Sequence, residues 1–294
     1  TGSVCIGATI TYFGSPIGGT WSSTAGGAGG SVSVNSTSGD VTGVSSGTVT
    51  VVYTLPSGCS LSGILTVNPL PSPISGPTHV CVGGSITLTD AAAGGTWSAT
   101  NSNAGVTGSG TTGTVTGAVA GIDTILYTVT GGCAASYVIT IDPTPAPIIV
   151  APTVCVGDFT IASDIDPGTW SISSPGLRAD INSTSGVVTG ISAGAATITF
   201  TSIWGCVRTT PITVVAGPLP ITGTMSLCVG TTTALSDATI PGTFSMACVT
   251  IATVTPTGIV RGIGVGVCDV TYTHTPSGCK TTAPVTVNTS PGPI

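Results

Sequence analysis

The chain has 294 residues, of which 40% are hydrophobic and only 5% are charged, with Lys+Arg 4 against Asp+Glu 10. So few cations cannot form the basic patch that neutralises phosphate groups, which excludes nucleic acid as a partner. No apolar run approaches the roughly 18 residues that a membrane-spanning helix needs, so we expect no membrane span.

Four copies of one pattern make up the sequence. Each copy opens with a Cys-aliphatic-Gly triplet, carries a Gly-Thr-Trp-Ser or Gly-Thr-Phe-Ser segment, and nearly closes with a Gly-Cys pair. The closing cysteines, at positions 59, 133, 206 and 279, lie 74, 73 and 73 residues apart. A fixed period of this length indicates an array of like modules. We expect four domains, at residues 1–69, 70–143, 144–217 and 218–294, which are called repeats 1 to 4 below.

Alternation of polar and apolar residues predicts β-strands within each repeat. In repeat 2 it covers residues 85–89, 124–130 and 137–141. Thr, Val and Ile dominate these segments, and they favour half-buried pleated backbone. The many glycines between the segments break helices and supply turns. The sequence therefore predicts an all-β protein in which each repeat has about seven short antiparallel strands in two sheets.

Two aromatic positions recur in every repeat, and we expect both to fill the core. The first position, on the third strand, is held by Trp21, Trp97, Trp170 and Phe244. The second position, on the penultimate strand, is held by Tyr53, Tyr127, Phe200 and Tyr272. Trp204 stands outside this pattern, in the turn before Cys206. It is a candidate contact residue, with packing onto its own repeat as the alternative.

Proline-rich segments separate the repeats, at residues 69–73, 143–147 and 218–220. Such segments favour extended backbone and act as semi-rigid spacers. The sequence therefore predicts domains strung in line as an elongated rod.

Four motifs in the repeats carry a family resemblance. They are Trp-Ser-Ser or Trp-Ser-Ala, a Gly-x-Val-Thr-Gly turn, an Ala-Gly-x-x-x-Ile segment and a final Val-Thr-Val. Together they resemble the group 2 bacterial immunoglobulin-like domains. The paired cysteines and proline-rich joints are similar to those of long surface proteins of Bacteroidetes-type bacteria. The resemblance covers all four repeats, although Phe244 replaces Trp in the fourth and Arg261 interrupts its Val-Thr-Gly.

This resemblance implies tandem immunoglobulin-like β-sandwich domains in a secreted or surface-attached stalk, adhesin or filament. The family has no catalytic residues and no cofactor to carry over. The residues agree, since no Ser/His/Asp or Cys/His arrangement and no set of metal ligands stands out. We therefore expect a protein that is not an enzyme.

The ten cysteines indicate an oxidising compartment. They form no Cys-x-x-Cys pair, which argues against zinc and redox motifs, and their even number suits disulfides. We expect a secreted protein that is extracellular or on the cell surface.

Two pairing schemes remain open for eight of the cysteines. The first joins the two cysteines of each repeat: Cys5–Cys59, Cys81–Cys133, Cys155–Cys206 and Cys228–Cys279. The second is offset by one repeat: Cys5–Cys133, Cys81–Cys206 and Cys155–Cys279, with Cys59 and Cys228 left to bond between successive chains. Up-and-down strands place the cysteines of one repeat roughly 20–25 Å apart, which favours the offset scheme, but bridges within a domain are the ordinary case. Cys248 and Cys268 fall at one pole of repeat 4 and should pair together.

The two ends of the chain predict a subunit junction. Read end to start, Pro293-Ile294-Thr1-Gly2 repeats the internal sequence 220–223. We therefore expect the Ile294 end of another copy to complete repeat 1, either covalently in a longer polypeptide or by strand addition. Head-to-tail contacts that do not close a ring give filaments, and the nearly uncharged surface also permits lateral association.

Four residues match glycan acceptor patterns. Asn35, Asn182 and Asn288 each begin an Asn-x-Ser/Thr triplet. Thr124, after Asp123, is similar to the O-glycan acceptor of Bacteroidetes-type bacteria. We therefore expect glycosylation at these four positions. The alternative is that the patterns arise by chance in a chain rich in Ser and Thr.

The leading interpretation is a non-enzymatic extracellular structural protein whose tandem repeats form a rod or head-to-tail filament. The first alternative is the stalk of a cell-surface adhesin, whose binding domain for other cells or surfaces lies outside this sequence. The second alternative is a glycan-binding module, for which Trp204 is the candidate contact residue.

Overall fold

The computed structural model describes residues 2–26, 29–173 and 175–291. All regular structure in these residues is β-strand. The chain divides into two compact units, Thr1–Thr144 and Pro145–Ile294, and each is considered by itself. Of the predicted subunit junction, Gly2 lies in the first strand, whereas Thr1, Pro293 and Ile294 lie outside the described residues.

The described residues of the first unit form fourteen strands. Those of repeat 1 are β1 Gly2–Cys5, β2 Thr9–Thr11, β3 Thr20–Ala25, β4 Ser31–Val34, β5 Asp40–Ser45, β6 Gly47–Thr54 and β7 Ser60–Asn68. Those of repeat 2 are β8 His79–Cys81, β9 Ser85–Thr89, β10 Thr96–Ala99, β11 Ala104–Ser109, β12 Thr112–Gly117, β13 Gly121–Thr128 and β14 Ala134–Asp142.

The second unit contains the other fifteen strands of the described residues. Those of repeat 3 are β15 Thr153–Cys155, β16 Phe159–Ile161, β17 Gly168–Ile172, β18 Ala179–Ile181, β19 Val187–Gly190, β20 Gly194–Ser202 and β21 Val207–Val215. Those of repeat 4 are β22 Thr222–Gly223, β23 Ser226–Cys228, β24 Thr232–Ser236, β25 Gly242–Met246, β26 Ala252–Val254, β27 Ile259–Gly262, β28 Gly266–His274 and β29 Lys280–Asn288.

The strand order is that of immunoglobulin-like β-sandwiches. In repeat 3 a sheet of order β15-β21-β20-β17 packs on a sheet of order β16-β19-β18, and repeats 1 and 4 follow the same order. The second sheet of repeat 4 gains β22 at its edge. In repeat 2 all seven strands form one sheet because β10 and β11 also pair, at Thr96 and Ser109. The expected all-β immunoglobulin-like fold is confirmed.

One irregularity is common to the four repeats. The short opening strand runs parallel to the last strand, so that β1 pairs with β7, β8 with β14, β15 with β21 and β23 with β29. The opening strand is therefore hydrogen-bonded to the last strand rather than placed by a simple up-and-down order.

Each unit contains two apolar core clusters, one in each repeat. In repeat 3, Phe200 of β20 and Ile212 of β21 meet Val188 of the opposite sheet, and none of the three is more than 1% exposed. Alternate residues of these strands face the core, as the period of two requires. The division of each unit into two domains stays a prediction.

Candidate junctions between repeats

A disulfide joins repeats 1 and 2 within the first unit. Strand β1 ends at Cys5, whose backbone partner is Asn68, the last residue of β7. Cys133 lies in the turn between β13 and β14, and its Cα is 5.7 Å from that of Cys5. The bond therefore fastens the end of repeat 1 at which β7 finishes to the β13–β14 turn of repeat 2.

Polar contacts surround this bond. The Asn68 side-chain Nδ2 donates to the carbonyl oxygen of Gly131, at 3.5 Å. Gly131 has φ of +103°, and a Cβ placed on it would lie 2.6 Å from Nδ2 of Asn68. The close approach of the two repeats therefore needs glycine at this position.

The second unit has the same bond between repeats 3 and 4. Cys155 ends β15 and pairs with Val215, the last residue of β21. Cys279 lies in the turn between β28 and β29, and its Cα is 5.7 Å from that of Cys155. Both bonds thus connect the opening cysteine of one repeat with the closing cysteine of the next.

Pairing within a repeat, the first of the two predicted schemes, is wrong in this structure. In repeat 2, Cys133 directly precedes β14, whereas Cys81 pairs with Asp142 at the far end of that strand. Nine extended residues span about 30 Å, far beyond the Cα separation of about 7 Å that a disulfide allows. The parallel pairing of opening and last strands imposes the same separation in the other repeats. The third offset pair, Cys81 with Cys206, would join the two units and stays a prediction.

Cys59 and Cys228 carry free thiols. Cys59 is exposed and directly precedes β7, which is the position of Cys133 in repeat 2 and Cys279 in repeat 4. Cys228 is half-buried and pairs with Asn288 at the end of β29, which is the position of Cys5 and Cys155. The two thiols therefore occupy the two kinds of position that the bonds Cys5–Cys133 and Cys155–Cys279 join.

Repeat 4 contains a further disulfide. Cys248, which follows β25, is bonded to the buried Cys268 of β28, and 20 residues separate them. The structure thus brings together the pair that the sequence analysis predicted from strand parity.

In repeat 2 the positions that correspond to Cys248 and Cys268 lie in the segment after β10 and in β13. Hydrogen bonds join them there instead of a disulfide. Asp123 stands four residues before Tyr127, as Cys268 stands four before Tyr272. Its carboxylate is 1% exposed and accepts the backbone N–H groups of Thr100 at 3.2 Å, Asn101 at 3.2 Å and Ala104 at 3.0 Å. This role was not predicted from the sequence, although Asp123 interrupts the apolar inward face of its strand.

The recurring aromatic residues of repeats 2 to 4 lie in the cores. Trp97, Trp170 and Phe244 are each 8% exposed, and each ring centroid lies 4.7 or 4.8 Å from that of its partner on the penultimate strand. Those partners are Tyr127, Phe200 and Tyr272, at 0, 1 and 3% exposure. Tilted ring pairs at this distance stabilise the sandwich beyond their buried area.

Repeat 1 differs from the other three. Trp21 and Tyr53 are only half-buried, although their ring centroids are 4.6 Å apart. Beside them lies an open groove of about 380 Å³, and a second groove of about 230 Å³ shares several of the same walls. Phe13, 90% exposed, and Leu61, 79% exposed, line both grooves.

Three of the four predicted glycan acceptors, Asn35, Asn182 and Asn288, are exposed. Asn35 and Asn182 are exposed, and their side-chain oxygens accept backbone N–H groups of the turns that follow them. The Asn288 side chain donates to the hydroxyl of Ser226 at 2.8 Å. Thr124 is half-buried in β13. Glycosylation at the four positions stays a prediction.

Trp204 lies in the turn between β20 and β21 and is 53% exposed. Within residues 2–26, 29–173 and 175–291, no three His, Cys or Asp side chains are grouped as metal ligands. The same residues include no helix with the length and apolar character to cross a bilayer.

Comparisons with known proteins give likenesses of fold. No protein-family model matches the chain, and no curated protein matches it. Among solved structures it is similar to the EC3-6 fragment of protocadherin gammaB7, a cis-dimer, at 13% identity over 97% of this chain and 98% of that one, with a TM-score of 0.22.

Two bacterial-type surface proteins are also similar. The C-terminal 282-residue fragment of intimin, solved with the intimin-binding domain of its translocated receptor, matches at 17% identity over 54% of this chain and 68% of that one, with a TM-score of 0.39. The S-layer protein SbsC matches at 17% identity over 94% of this chain and 51% of that one, with a TM-score of 0.24.

Proposed function

We propose that this chain is a non-enzymatic extracellular structural protein whose immunoglobulin-like repeats form a head-to-tail filament. The observation that carries the proposal is the bond between successive repeats, Cys5–Cys133 and Cys155–Cys279. These bonds lie outside the apolar cores of the sandwiches and restrain the joint between successive repeats. Restraint of the joints between repeats is what an extended array under tension needs.

The free thiols extend the same pattern to a second copy. Cys228 of one copy and Cys59 of the next would form the bond that Cys5 and Cys133 form inside the chain. Two thiols are oxidised to one disulfide, and a small-molecule disulfide such as oxidised glutathione takes the two electrons and two protons and leaves as two thiols. The filament then has the same bond at every joint.

An oxidation experiment tests this function. Purified chain in a glutathione redox buffer should form a ladder of oligomers on non-reducing electrophoresis, and negative-stain microscopy should show filaments. Peptide mapping by mass spectrometry should find Cys59 linked to Cys228. The control is the Cys59→Ser/Cys228→Ser chain, which should give no covalent ladder. A parent chain that stays a monomer in the oxidising buffer contradicts the filament.

The stalk of a cell-surface adhesin is the second candidate. The same bonded joints would suit a stalk, because a stalk also has to keep its length under load. If the chain is a stalk, purified copies should stay separate in the oxidising buffer. If it forms a filament, they should assemble.

A further inference from the structure

The groove of repeat 1 lies where the other repeats hold an isoleucine. In repeat 2, Ile74 is 6% exposed and belongs to the core that includes Trp97 and Tyr127. In repeat 4, Ile221 is 7% exposed and belongs to the core that includes Phe244 and Tyr272. The corresponding aromatic pair of repeat 1, Trp21 and Tyr53, lines the open groove instead.

Repeat 1 lacks a backbone pairing as well as the isoleucine side chain that the other repeats have. The residue after each core isoleucine pairs with the strand beside it: Ser75 with Thr89, Ile149 with Ser163, and Thr222 with Ser236. Eight residues after the opening cysteine, these three partners correspond to Phe13 of repeat 1. There the sheet order is β2-β5-β4, so β2 is an edge strand, and no described residue pairs with its outer side.

The sequence contains one motif for each of these places. A Pro-x-Pro-Ile segment occurs four times, at residues 71–74, 145–148, 218–221 and 291–294. In all four cases the isoleucine stands six residues after the end of a last strand, since β7, β14, β21 and β29 end at 68, 142, 215 and 288. The first three segments supply Ile74, Ile148 and Ile221, which lie in or against the cores of repeats 2, 3 and 4.

We propose that the fourth segment, residues 291–294, inserts as an added strand into the repeat 1 groove of a second copy. Ile294 then packs between Trp21, Tyr53 and Leu61, and the segment lies along the edge of β2. This is β-strand addition, in which backbone hydrogen bonds and one side chain in a pocket share the recognition. Proline suits an edge strand because its missing N–H can face solvent. The inference rests on the proposed function and names the contact that begins assembly.

The insertion also agrees with the free thiols. Cys59 lines the second groove together with Phe13 and Leu61, so the accepting surface and this thiol lie at the same end of repeat 1. Cys228 pairs with Asn288, three residues before Pro291, so the donor segment starts beside the other thiol. Insertion therefore brings Cys228 towards Cys59, just as Ile74 in its core accompanies the bond between Cys5 and Cys133.

The groove surface has no charged side chain among its lining residues. The segment has no charged side chain either, so its docking should depend little on salt, because no ion pair between side chains is screened. Docking that depended on ion pairs would instead weaken as the salt concentration rises.

The test separates insertion from disulfide formation. The acceptor is the chain ending at residue 290 with Cys59→Ser and Cys228→Ser, which can accept a segment but cannot donate one or form the bond. The probe is a fluorescent peptide of residues 286–294. Fluorescence anisotropy should show saturable binding, and the same peptide with Ile294→Asp should bind roughly 10- to 100-fold more weakly, since it loses a buried isoleucine.

Matched acceptor variants locate the binding site. Leu61→Glu places a carboxylate in the groove on an exposed strand residue and should abolish binding. Val267→Glu makes the same change at a residue that is 59% exposed in repeat 4 and should leave binding unchanged. Circular dichroism checks that both acceptors are folded.

The outcomes distinguish this inference from the proposed function. If the peptide does not bind, or binds equally with Asp at 294, the groove proposal is overturned, even where Cys59–Cys228 oligomers still form. If the peptide binds as expected but the parent chain stays monomeric in the oxidising buffer, the filament is overturned and the groove instead accepts the segment from a preceding repeat of a longer polypeptide.

Discussion

Cys5 and Cys133 are bonded across 128 residues, whereas Cys248 and Cys268 are bonded across 20. The longer loop contains a joint between two repeats, and the shorter loop lies within one sandwich. A disulfide stabilises largely by restricting the unfolded chain, and the restriction grows with loop length. The two bonds therefore differ in what they contribute, although their chemistry is the same.

Removing the two bonds separately should show this difference. Cys5→Ser/Cys133→Ser should lower the free energy of unfolding by about 5 kcal/mol, and Cys248→Ser/Cys268→Ser by about 3 kcal/mol. Urea denaturation of the full chain, followed by circular dichroism because repeat 4 contains no tryptophan, measures both. An equal or larger loss for the shorter loop would contradict the loop-length argument and indicate that the Cys248–Cys268 bond acts through core packing.

Asp123 should contribute about as much to the stability of repeat 2 as the Cys248–Cys268 disulfide contributes to that of repeat 4. Asp123→Ala removes the buried carboxylate that accepts the backbone N–H groups of Asn101 and Ala104, which should cost about 3 kcal/mol. Asp123→Asn should cost less, since its carbonyl oxygen still accepts. Urea denaturation measures both, with the exposed Asp158→Ala as the control, which should change stability by less than about 0.5 kcal/mol. Equal losses for Asp123→Ala and Asp158→Ala would refute the role.

Much of the fold could be predicted from the sequence because its signals are local. Alternation at 124–130 places Ile125 and Tyr127 on the inward face of β13, where both are 0% exposed. The pairing of Cys5 with Cys133 could not be decided, because it depends on the parallel pairing of β1 with β7. A parallel contact between the first and last strands of a repeat leaves no periodic signal in either strand.

For repeat 1, the sequence at the two ends of the chain predicted that a segment of another copy completes the repeat, but it did not predict which side chains the groove exposes. Trp21 and Tyr53 occupy positions that are buried in the other repeats, so their pattern predicted the same burial here. Their exposure depends on a neighbouring segment, in the way that Ile74 covers the pair in repeat 2. Periodicity reports which face of a strand points inward and cannot report whether that face is fully covered.

The two corresponding tryptophans should therefore respond unequally to truncation. Trp97→Ala should cost about 3–5 kcal/mol, because the side chain is 8% exposed in a complete core. Trp21→Ala should cost clearly less in the unassembled chain, because the ring is half-buried beside the groove. Thermal denaturation of Cys59→Ser/Cys228→Ser chains that end at residue 290 provides the comparison, because these chains can neither donate the segment nor form the bond. Equal losses would show that the core of repeat 1 is as complete as that of repeat 2.

Alanine substitutions at Gly131 and Gly132 should distinguish the effect of backbone strain from the effect of lost contact between repeats. Both have positive φ, +103° and +82°, but a Cβ on Gly131 would meet Asn68 at 2.6 Å, while a Cβ on Gly132 would meet nothing within 4 Å. Gly132→Ala should cost only the strain of a left-handed residue, about 1–2 kcal/mol. Gly131→Ala should cost that and also displace Asn68 from the joint, which should weaken the Cys5–Cys133 bond. Titration with dithiothreitol, followed by mass spectrometry, should reduce this bond at lower reductant in Gly131→Ala than in Gly132→Ala, because only the first variant disturbs the contact beside it. Identical reduction curves would mean that Asn68 does not support the bond.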